Sequence, residues 1–243
     1  MHPAPDTVPG DAVVLRRPGR VDYSTAFRAM QDFTDARAPE TPDEIWLLEH
    51  PPVFTMGIKG RGGARTHIHG IPVVYSDRGG DMTYHGPGQL VAYILMDLRR
   101  RGWGAKRLVN AMEQSVINLL AARRIQAERR AGAPGVYVAG AKIASLGLRV
   151  RRGASYHGIA LNLDMDLTPF SHIDPCGYPA QPVTRLIDLG IRGDMALAGQ
   201  DWLEQLLSEL GYTGIVTPSE SRLPGLLVMT GRAKRGYIFE QHE

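Results

Sequence analysis

The single cysteine of the chain, Cys176, is the first candidate for chemistry. It lies in the segment IDPCGYP, where Pro175 fixes the backbone before it and Gly177 leaves steric room after it. A lone cysteine is most often a small buried apolar residue. A cysteine in a loop of this kind can instead be presented to a cleft, which is where reactive thiols are found. These residues alone leave both interpretations open.

A lysine is the second candidate, because lysine is rare in this sequence. The four lysines are Lys59, Lys106, Lys142 and Lys234, and every other side-chain cation of the Lys and Arg type is arginine. In the segment AKIASLGL, strand alternation predicts that Lys142 shares a face with Ala144, Leu146 and Leu148. A strand-end lysine usually extends to solvent. A desolvated lysine can release its proton, however, which arginine cannot, and an ammonium near a cysteine favours the thiolate.

The third candidate is a glycine-rich segment, RGGDMTYHGPGQLVAY, at residues 78–93. Its glycines match neither the phosphate-binding P-loop spacing nor the dinucleotide-binding spacing. Glycine lets a backbone approach a ligand closely, and Arg78 could anchor an acidic group at the mouth of a site. An ordinary turn, in which Tyr84 and His85 only pack locally, is the alternative.

Two further sets of residues carry weaker signals. In HGIALNL, Gly158 and Ala160 are small residues in an expected strand, and they leave space that a slender chain could fill. Three histidines, His85, His157 and His172, lack the spacing of metal ligands, and clustered cysteines are absent from the sequence. We therefore expect no metal site.

The composition is that of an ordinary soluble globular protein. The chain has 243 residues, of which 43% are hydrophobic and 22% charged, with a net charge of +3 and a pI near 9.1. The positive bias suits an acidic partner but is too weak to indicate nucleic-acid binding. The sequence has no run of 18 apolar residues and no secretory signal, and one cysteine excludes an internal disulfide. These features favour a cytoplasmic protein.

Periodicity predicts helices and strands without regular βαβ alternation. Strands are expected at residues 11–17, 44–50, 71–76 and 90–98, helices at 22–36, 104–124 and 195–210, and a meander of short strands at 135–165. This pattern predicts one α/β or α+β domain with a mixed sheet. We expect its core to span about 12–215, with flexible ends at 1–10 and 217–243.

Three blocks of the sequence together resemble the lipoyl(octanoyl) transferases. The first block comprises Arg78, Gly79, Gly80, Thr83, Tyr84, His85, Gly86, Pro87, Gly88, Gln89 and Tyr93. The second comprises Gly140, Lys142, Ile143, Ala144, Gly147, Arg149, His157, Gly158, Ala160, Leu161 and Asn162. The third comprises Ile173, Pro175, Cys176, Gly177, Val183 and Thr184. The blocks follow the family's order and extend over most of residues 12–212, so the resemblance is specific.

The resemblance implies both a fold and a set of site residues. The fold is that of the biotin and lipoate protein ligase catalytic domains, with a large mixed sheet, a small second sheet and flanking helices. The acyl-carrying cysteine falls on Cys176 and its acid/base partner on Lys142. The substrate-binding residues fall on Arg78, Gly79, Gly80, Asp81, Met82, Thr83, Tyr84, His85, Ser145, Leu146, Gly147, Gly158, Ile159 and Ala160.

The activity implied by the resemblance is octanoyl transfer in lipoate biosynthesis. The donor would be octanoyl–acyl carrier protein, and the acceptors would be lipoyl domains of 2-oxoacid dehydrogenase complexes and the glycine cleavage H protein. A thioester is already activated, so no cofactor is expected. We also expect a monomer that binds neither nucleic acid nor membrane.

Two other functions stay open at this point. One is an ATP-dependent lipoate or biotin ligase of the same fold, because KGRGGAR at residues 59–65 faintly resembles an adenylate loop. The other is a non-catalytic acyl- or protein-binding module in which Cys176 is merely buried.

Overall fold

The alternating and helical apolar patterns of the sequence form two sheets and three long helices in the computed structural model. The structure describes residues 11–60, 65–173, 181–191, 195–219 and 222–224. The helices are α1 (Tyr23–Asp35), α2 (Ala105–Ala121) and α3 (Met195–Leu210). Helix α1 begins after Asp22, whose side chain accepts a hydrogen bond from the Thr25 amide at 2.9 Å and so satisfies an unpaired N–H of the first turn.

The strands are interspersed with the helices along the described part of the chain. They are β1 (Ala12–Arg20), β2 (Glu44–Glu49), β3 (Val53–Met56), β4 (His67–Ile68), β5 (Ile71–Tyr75), β6 (Thr83–His85), β7 (Gln89–Leu95), β8 (Glu128–Arg129), β9 (Gly135–Val138), β10 (Ala141–Arg151), β11 (Ala154–Asn162) and β12 (Gly214–Val216). Each helix and strand expected from periodicity is present within a few residues of its expected bounds.

The strands form one large sheet and one small sheet. The large sheet has the order β12-β1-β2-β7-β11-β10-β9-β8, and the small sheet has the order β4-β5-β3-β6. Strand β1 pairs in parallel with both β2 and β12, whereas the other neighbours in the large sheet are antiparallel. The expected fold, a large mixed sheet with a small second sheet and flanking helices, is confirmed.

Each face of the large sheet has its own core. On one face, α2 and α3 bury side chains such as Met112 and Trp202 against Ile94 and Ile159. On the other face, α1 covers a cluster that includes Trp46, Tyr93 and Tyr156. Both faces of the central strands are therefore apolar, as expected for residues 90–98.

A part of the C-terminal segment packs against the face that α1 covers. Leu223 is 3% exposed and belongs to that cluster, and the Arg16 guanidinium donates to the Arg222 carbonyl at 3.1 Å. These contacts place residues 222–224 on the folded core, although they lie in the end that we expected to be flexible.

Candidate active site

A slot runs between the α1 face of the large sheet and the loop that connects β5 to β6. Its floor comes from β7, β10 and β11, its roof from the loop, and one wall from α1. The lining residues are Tyr23, Arg78, Gly80, Asp81, Met82, Thr83, His85, Val91, Tyr93, Lys142, Ser145, Leu146, Gly147, His157, Gly158, Ile159 and Ala160. The structure thus brings together twelve of the fourteen residues to which the resemblance assigns substrate binding, and Lys142 lies with them.

Two glycines on neighbouring strands shape the floor of the slot. Gly147 of β10 lies opposite Gly158 of β11. A Cβ atom on Gly147 would lie 2.8 Å from the carbonyl oxygen of Gly79, and one on Gly158 would lie 1.9 Å from the carbonyl oxygen of Ala92. Backbone therefore approaches backbone at both positions, which only glycine allows.

The roof loop is fixed to both sheets. The Gly79 amide donates to the Leu148 carbonyl of β10 at 2.9 Å. Arg78 is 8% exposed, and its guanidinium donates to the Thr55 carbonyl of β3 at 2.6 Å, to the Thr55 hydroxyl and to the Gly79 carbonyl. Arg78 thus clamps the loop to the small sheet, and it also lines the slot, so its anchoring of an acidic group stays a prediction.

The other two of those fourteen residues, Gly79 and Tyr84, support the roof from behind. Tyr84 packs its ring against Phe54 and Phe170, with centroids 5.4 and 5.6 Å apart, within the core of the small sheet. Gly79 contacts β10 through its backbone, as described above. Neither lines the slot, so both act on its shape from outside.

Three buried histidines surround the slot, and sequence reasoning identified only two of them. Burial lowers the pKa of His50 to about 4 and that of His85 to about 3, so both rings are neutral near pH 7. His50 Nε2 lies 2.6 Å from the Tyr93 hydroxyl, and His85 Nδ1 lies 2.7 Å from Gln89 Oε1. His50 directly follows β2 and had no motif around it, so only the fold reveals its place.

The third histidine, His157, is held by an aspartate that sequence reasoning did not single out. Its Nε2 lies 2.9 Å from Asp77 Oδ1, and the Tyr156 hydroxyl donates to Asp77 Oδ2. Burial would raise the pKa of Asp77, but these hydrogen bonds outweigh it and lower the pKa to about 2. Burial also lowers the pKa of His157, against the opposing effect of Asp77. The pair is therefore a carboxylate that orients a largely neutral imidazole in the slot wall.

Lys142 lies at a β-bulge, and its expected orientation was wrong. The pairing of β10 with β9 shifts between Lys142 and Ala144. Because of this extra residue, Ala144 packs in the core under α2 and α3, whereas Lys142 lines the slot together with Ser145 and Gly147. Simple alternation had placed Lys142 and Ala144 on one face, and alternation cannot anticipate a bulge.

The Lys142 side chain is buried, with 3% of the residue exposed. Its Nζ lies 5.5 Å from the centroid of the Tyr137 ring. The backbone of Lys142 is held by residues 182–184. The Lys142 amide donates to the Pro182 carbonyl at 2.7 Å, and the Lys142 carbonyl accepts from the Thr184 amide at 2.9 Å. Cys176 and the rest of residues 174–180 lie outside the described residues, and so does the distance between Cys176 and Lys142. The same holds for most of the KGRGGAR segment.

Metal and membrane signals are absent from the described part of the chain. There, no group of three or more His, Cys, Asp or Glu side chains is arranged to hold a metal ion. In the same residues, no helix is long and apolar enough to cross a membrane.

Comparison with solved structures identifies the class of protein that has this fold. A putative lipoate protein ligase from T. acidophilum with bound lipoic acid superimposes with a TM-score of 0.65 at 15% identity, covering 86% of this chain and 90% of that chain. A lipoate-protein ligase A bound with ATP superimposes with a TM-score of 0.66 at 14% identity, with the same two coverages. The lipoyl protein ligase A/B catalytic domain family matches residues 22–207. The fold is thus that of a lipoyl protein ligase catalytic domain.

Sequence comparison then resolves the branch of this class. A protein of Aromatoleum aromaticum named octanoyltransferase is 57% identical over 203 residues, which cover 84% of this chain and 88% of the relative. The octanoyltransferase of Thiobacillus denitrificans is 59% identical over 186 residues, covering 75% of this chain and 84% of the relative. The chain belongs to the octanoyltransferase family.

Proposed function

We propose that the protein transfers an octanoyl group from octanoyl–acyl carrier protein to the target lysine of lipoyl domains, through a thioester on Cys176. The observation that carries this proposal is the buried Lys142 in the lining of a slot that is otherwise formed mainly by the segments to which the resemblance assigns substrate binding. Identity of 57% to an octanoyltransferase over most of both chains supports the acyl group and the reaction type.

The first half-reaction loads the enzyme. Lys142 in its neutral form accepts the proton of the Cys176 thiol, and the thiolate attacks the carbonyl carbon of the donor thioester. The bond between that carbon and the carrier sulfur breaks, and the carrier thiolate takes the proton from the Lys142 ammonium. An octanoyl-enzyme thioester and a free carrier thiol result.

The second half-reaction unloads it. The uncharged amine of the acceptor lysine attacks the same carbonyl carbon, the bond to Cys176 sulfur breaks, and an amide forms. The amine gives up a proton, which Lys142 passes to the departing Cys176 thiolate. Energy comes from the thioester itself, so the scheme uses neither ATP nor a metal.

The shape of the slot fits a slender, unbranched acyl group. Its floor is made of Gly147, Gly158 and Ala160, and the Arg78 clamp holds the roof above it. A fixed roof makes the slot a preformed site, so little binding energy is spent on ordering the loop. We infer that the alkyl chain lies along β10 and β11 with its carbonyl end near Lys142.

The partners and state of the protein belong to the same proposal. The donor is octanoyl–acyl carrier protein, and the acceptors are lipoyl domains of 2-oxoacid dehydrogenase complexes and the glycine cleavage H protein. We propose that the chain works as a cytoplasmic monomer with one catalytic domain.

An intact-mass experiment tests the covalent intermediate. Incubation with octanoyl–acyl carrier protein should add one octanoyl group, which hydroxylamine should release as expected for a thioester. Cys176→Ser should lose the adduct and nearly all transfer to a lipoyl domain. Unchanged transfer in Cys176→Ser would overturn the proposal.

The same reagents separate the alternatives. When it is supplied with ATP and free octanoate, a ligase would release pyrophosphate, and it would tolerate the loss of Cys176. A binding module would show neither the mass increase nor turnover. Membership of the octanoyltransferase family favours the transferase, because the ligases among the solved structures share only the fold at 14–15% identity.

A further inference from the structure

Gly135 lies directly beneath the Lys142 side chain. It is the first residue of β9 and pairs with Ser145 of β10. Its φ is +144°, a backbone conformation that favours glycine. A Cβ atom there would lie 2.3 Å from Lys142 Cε, 3.2 Å from Lys142 Nζ and 2.7 Å from the Ala144 carbonyl oxygen. The bare backbone of Gly135 is therefore the surface on which the lysine side chain rests.

The Gly135 amide is held by a buried carboxylate on α2. Glu113 is 4% exposed, and its Oε1 accepts a hydrogen bond from the Gly135 amide at 2.9 Å. Its Oε2 accepts from Arg129 Nε at 3.0 Å. A buried carboxylate is costly unless it is both hydrogen-bonded and paired, and Glu113 is both. The reaction proposed above makes no use of it.

The backbone and the side chain of Lys142 are thus held from two sides. On one side, the backbone bonds with Pro182 and Thr184 fix the strand end. On the other side, Glu113 fixes Gly135, and Gly135 supports the side chain. A bulge between Lys142 and Ala144 interrupts the regular hydrogen bonding between β9 and β10 at this point. The orientation of the lysine is therefore set by these contacts.

We propose that Glu113 is a positioning residue for Lys142. Glu113 acts through the backbone of Gly135, and its negative charge is paired with Arg129. This inference rests on the proposed acid/base role of Lys142. A displacement of about 1 Å at a catalytic group can lower a rate about 100-fold, so a contact two steps away from the amine can matter for turnover.

Glu113→Ala and Glu113→Gln test this inference. Glu113→Ala removes the acceptor of the Gly135 amide, and we expect kcat for octanoyl transfer to fall about 10- to 100-fold with little change in KM for the donor. Glu113→Gln keeps one carbonyl oxygen for that amide and should recover most of the activity. Ser115→Ala is the matched control, because Ser115 is buried on the same helix and bonds to Trp202 instead of Gly135.

A thiol measurement separates positioning from general loss of stability. Cys176 is the only cysteine, so iodoacetamide should label one site, and its rate can be followed against pH. The pH at which the alkylation rate is half-maximal should rise in Lys142→Ala and in Glu113→Ala. This midpoint should stay unchanged in Ser115→Ala. Glu113→Ala should add nothing in the Lys142→Ala background, because contacts that act through one group are not additive.

The outcomes distinguish failure of the inference from failure of the proposed function. If Lys142→Ala changes both turnover and midpoint while Glu113→Ala changes neither, the positioning role of Glu113 is overturned and the mechanism stands. If Lys142→Ala itself leaves both unchanged, the proposed role of Lys142 fails. Additive effects of Glu113→Ala and Lys142→Ala would also overturn the inference, since they would show that Glu113 acts elsewhere.

Discussion

As the pH is lowered, this protein should lose stability at pH values well above those at which carboxylates titrate, because its core holds neutral histidines. An unfolded histidine has a pKa near 6.5, whereas burial lowers the pKa of His50 to about 4 and that of His85 to about 3. Between these values the unfolded chain binds protons that the native protein does not. Stability therefore falls as the pH falls from about 6.5 towards 4.

The size of the effect follows from the shifts. At pH 5, protonation of one histidine stabilises the unfolded state by about 2 kcal/mol. His50 and His85 stay largely neutral in the native protein, so together they lower the free energy of unfolding by about 4 kcal/mol. Burial lowers the pKa of His157 as well, which adds in the same direction. A loss of this size is a large share of the roughly 5–15 kcal/mol that stabilises a typical domain.

Urea denaturation at a series of pH values measures this loss. The fluorescence of the buried Trp46 and Trp202 can report unfolding, and the free energy of unfolding should decrease by about 4 kcal/mol between pH 8 and pH 5. In His85→Gln the side-chain amide can still donate to Gln89 Oε1, and the pH dependence should shrink by about half. His67→Gln is the control, because His67 is exposed. A free energy of unfolding that is flat from pH 8 to pH 5 would refute the reasoning.

Two further predictions concern a buried ion cluster and the acyl slot. Asp43 is 4% exposed and lies 3.2 Å from the buried Arg37 guanidinium, so Asp43→Ala should cost about 3–5 kcal/mol in thermal or urea denaturation, whereas Asp201→Ala at a surface pair should cost under about 1 kcal/mol. Similar losses in both would contradict this. Ala160→Val should narrow the slot and impair octanoyl transfer more than butanoyl transfer, and equal losses would count against the slot. Gly80 is a poorer site for that test, because its φ of +87° would strain any larger residue.

The long elements of this fold could be predicted from sequence, whereas strands β3 and β6 could not. Helices α1, α2 and α3 have apolar faces several turns long, and strand β7 is apolar on both faces, so each carries its own signal. Strands β3 and β6 have four and three residues, and they exist because they pair with each other beneath the roof loop. No local pattern marks such strands, because their stability comes from partners distant in sequence.

The candidate site shows the same division. The glycine loop and the small residues of β11 could be recognised in the sequence, because several closely spaced glycines destabilise a chain unless the backbone requires them. His50 and Asp77 were not singled out, because a single polar residue next to a strand carries no signal until the fold brings its partners near. Glu113 was hidden for another reason, since a glutamate on a helix is normally a solvated residue, and only its burial against Gly135 shows otherwise.

The parallel pairing of β1 with β12 determines the order in which the molecule can be completed during synthesis. Ala12 pairs with Gly214, and the Thr213 amide donates to the Asp11 carbonyl, so this edge of β1 finds its partner only after residues 214–216 have left the ribosome. Until then β1 presents open N–H and C=O groups along that edge, a template for pairing with another nascent chain. Closing such a long loop is slow compared with forming local contacts. Strand β12 therefore replaces β1 as the edge of the sheet at residues 12–14, and truncation before residue 214 would leave that part of β1 without its strand partner.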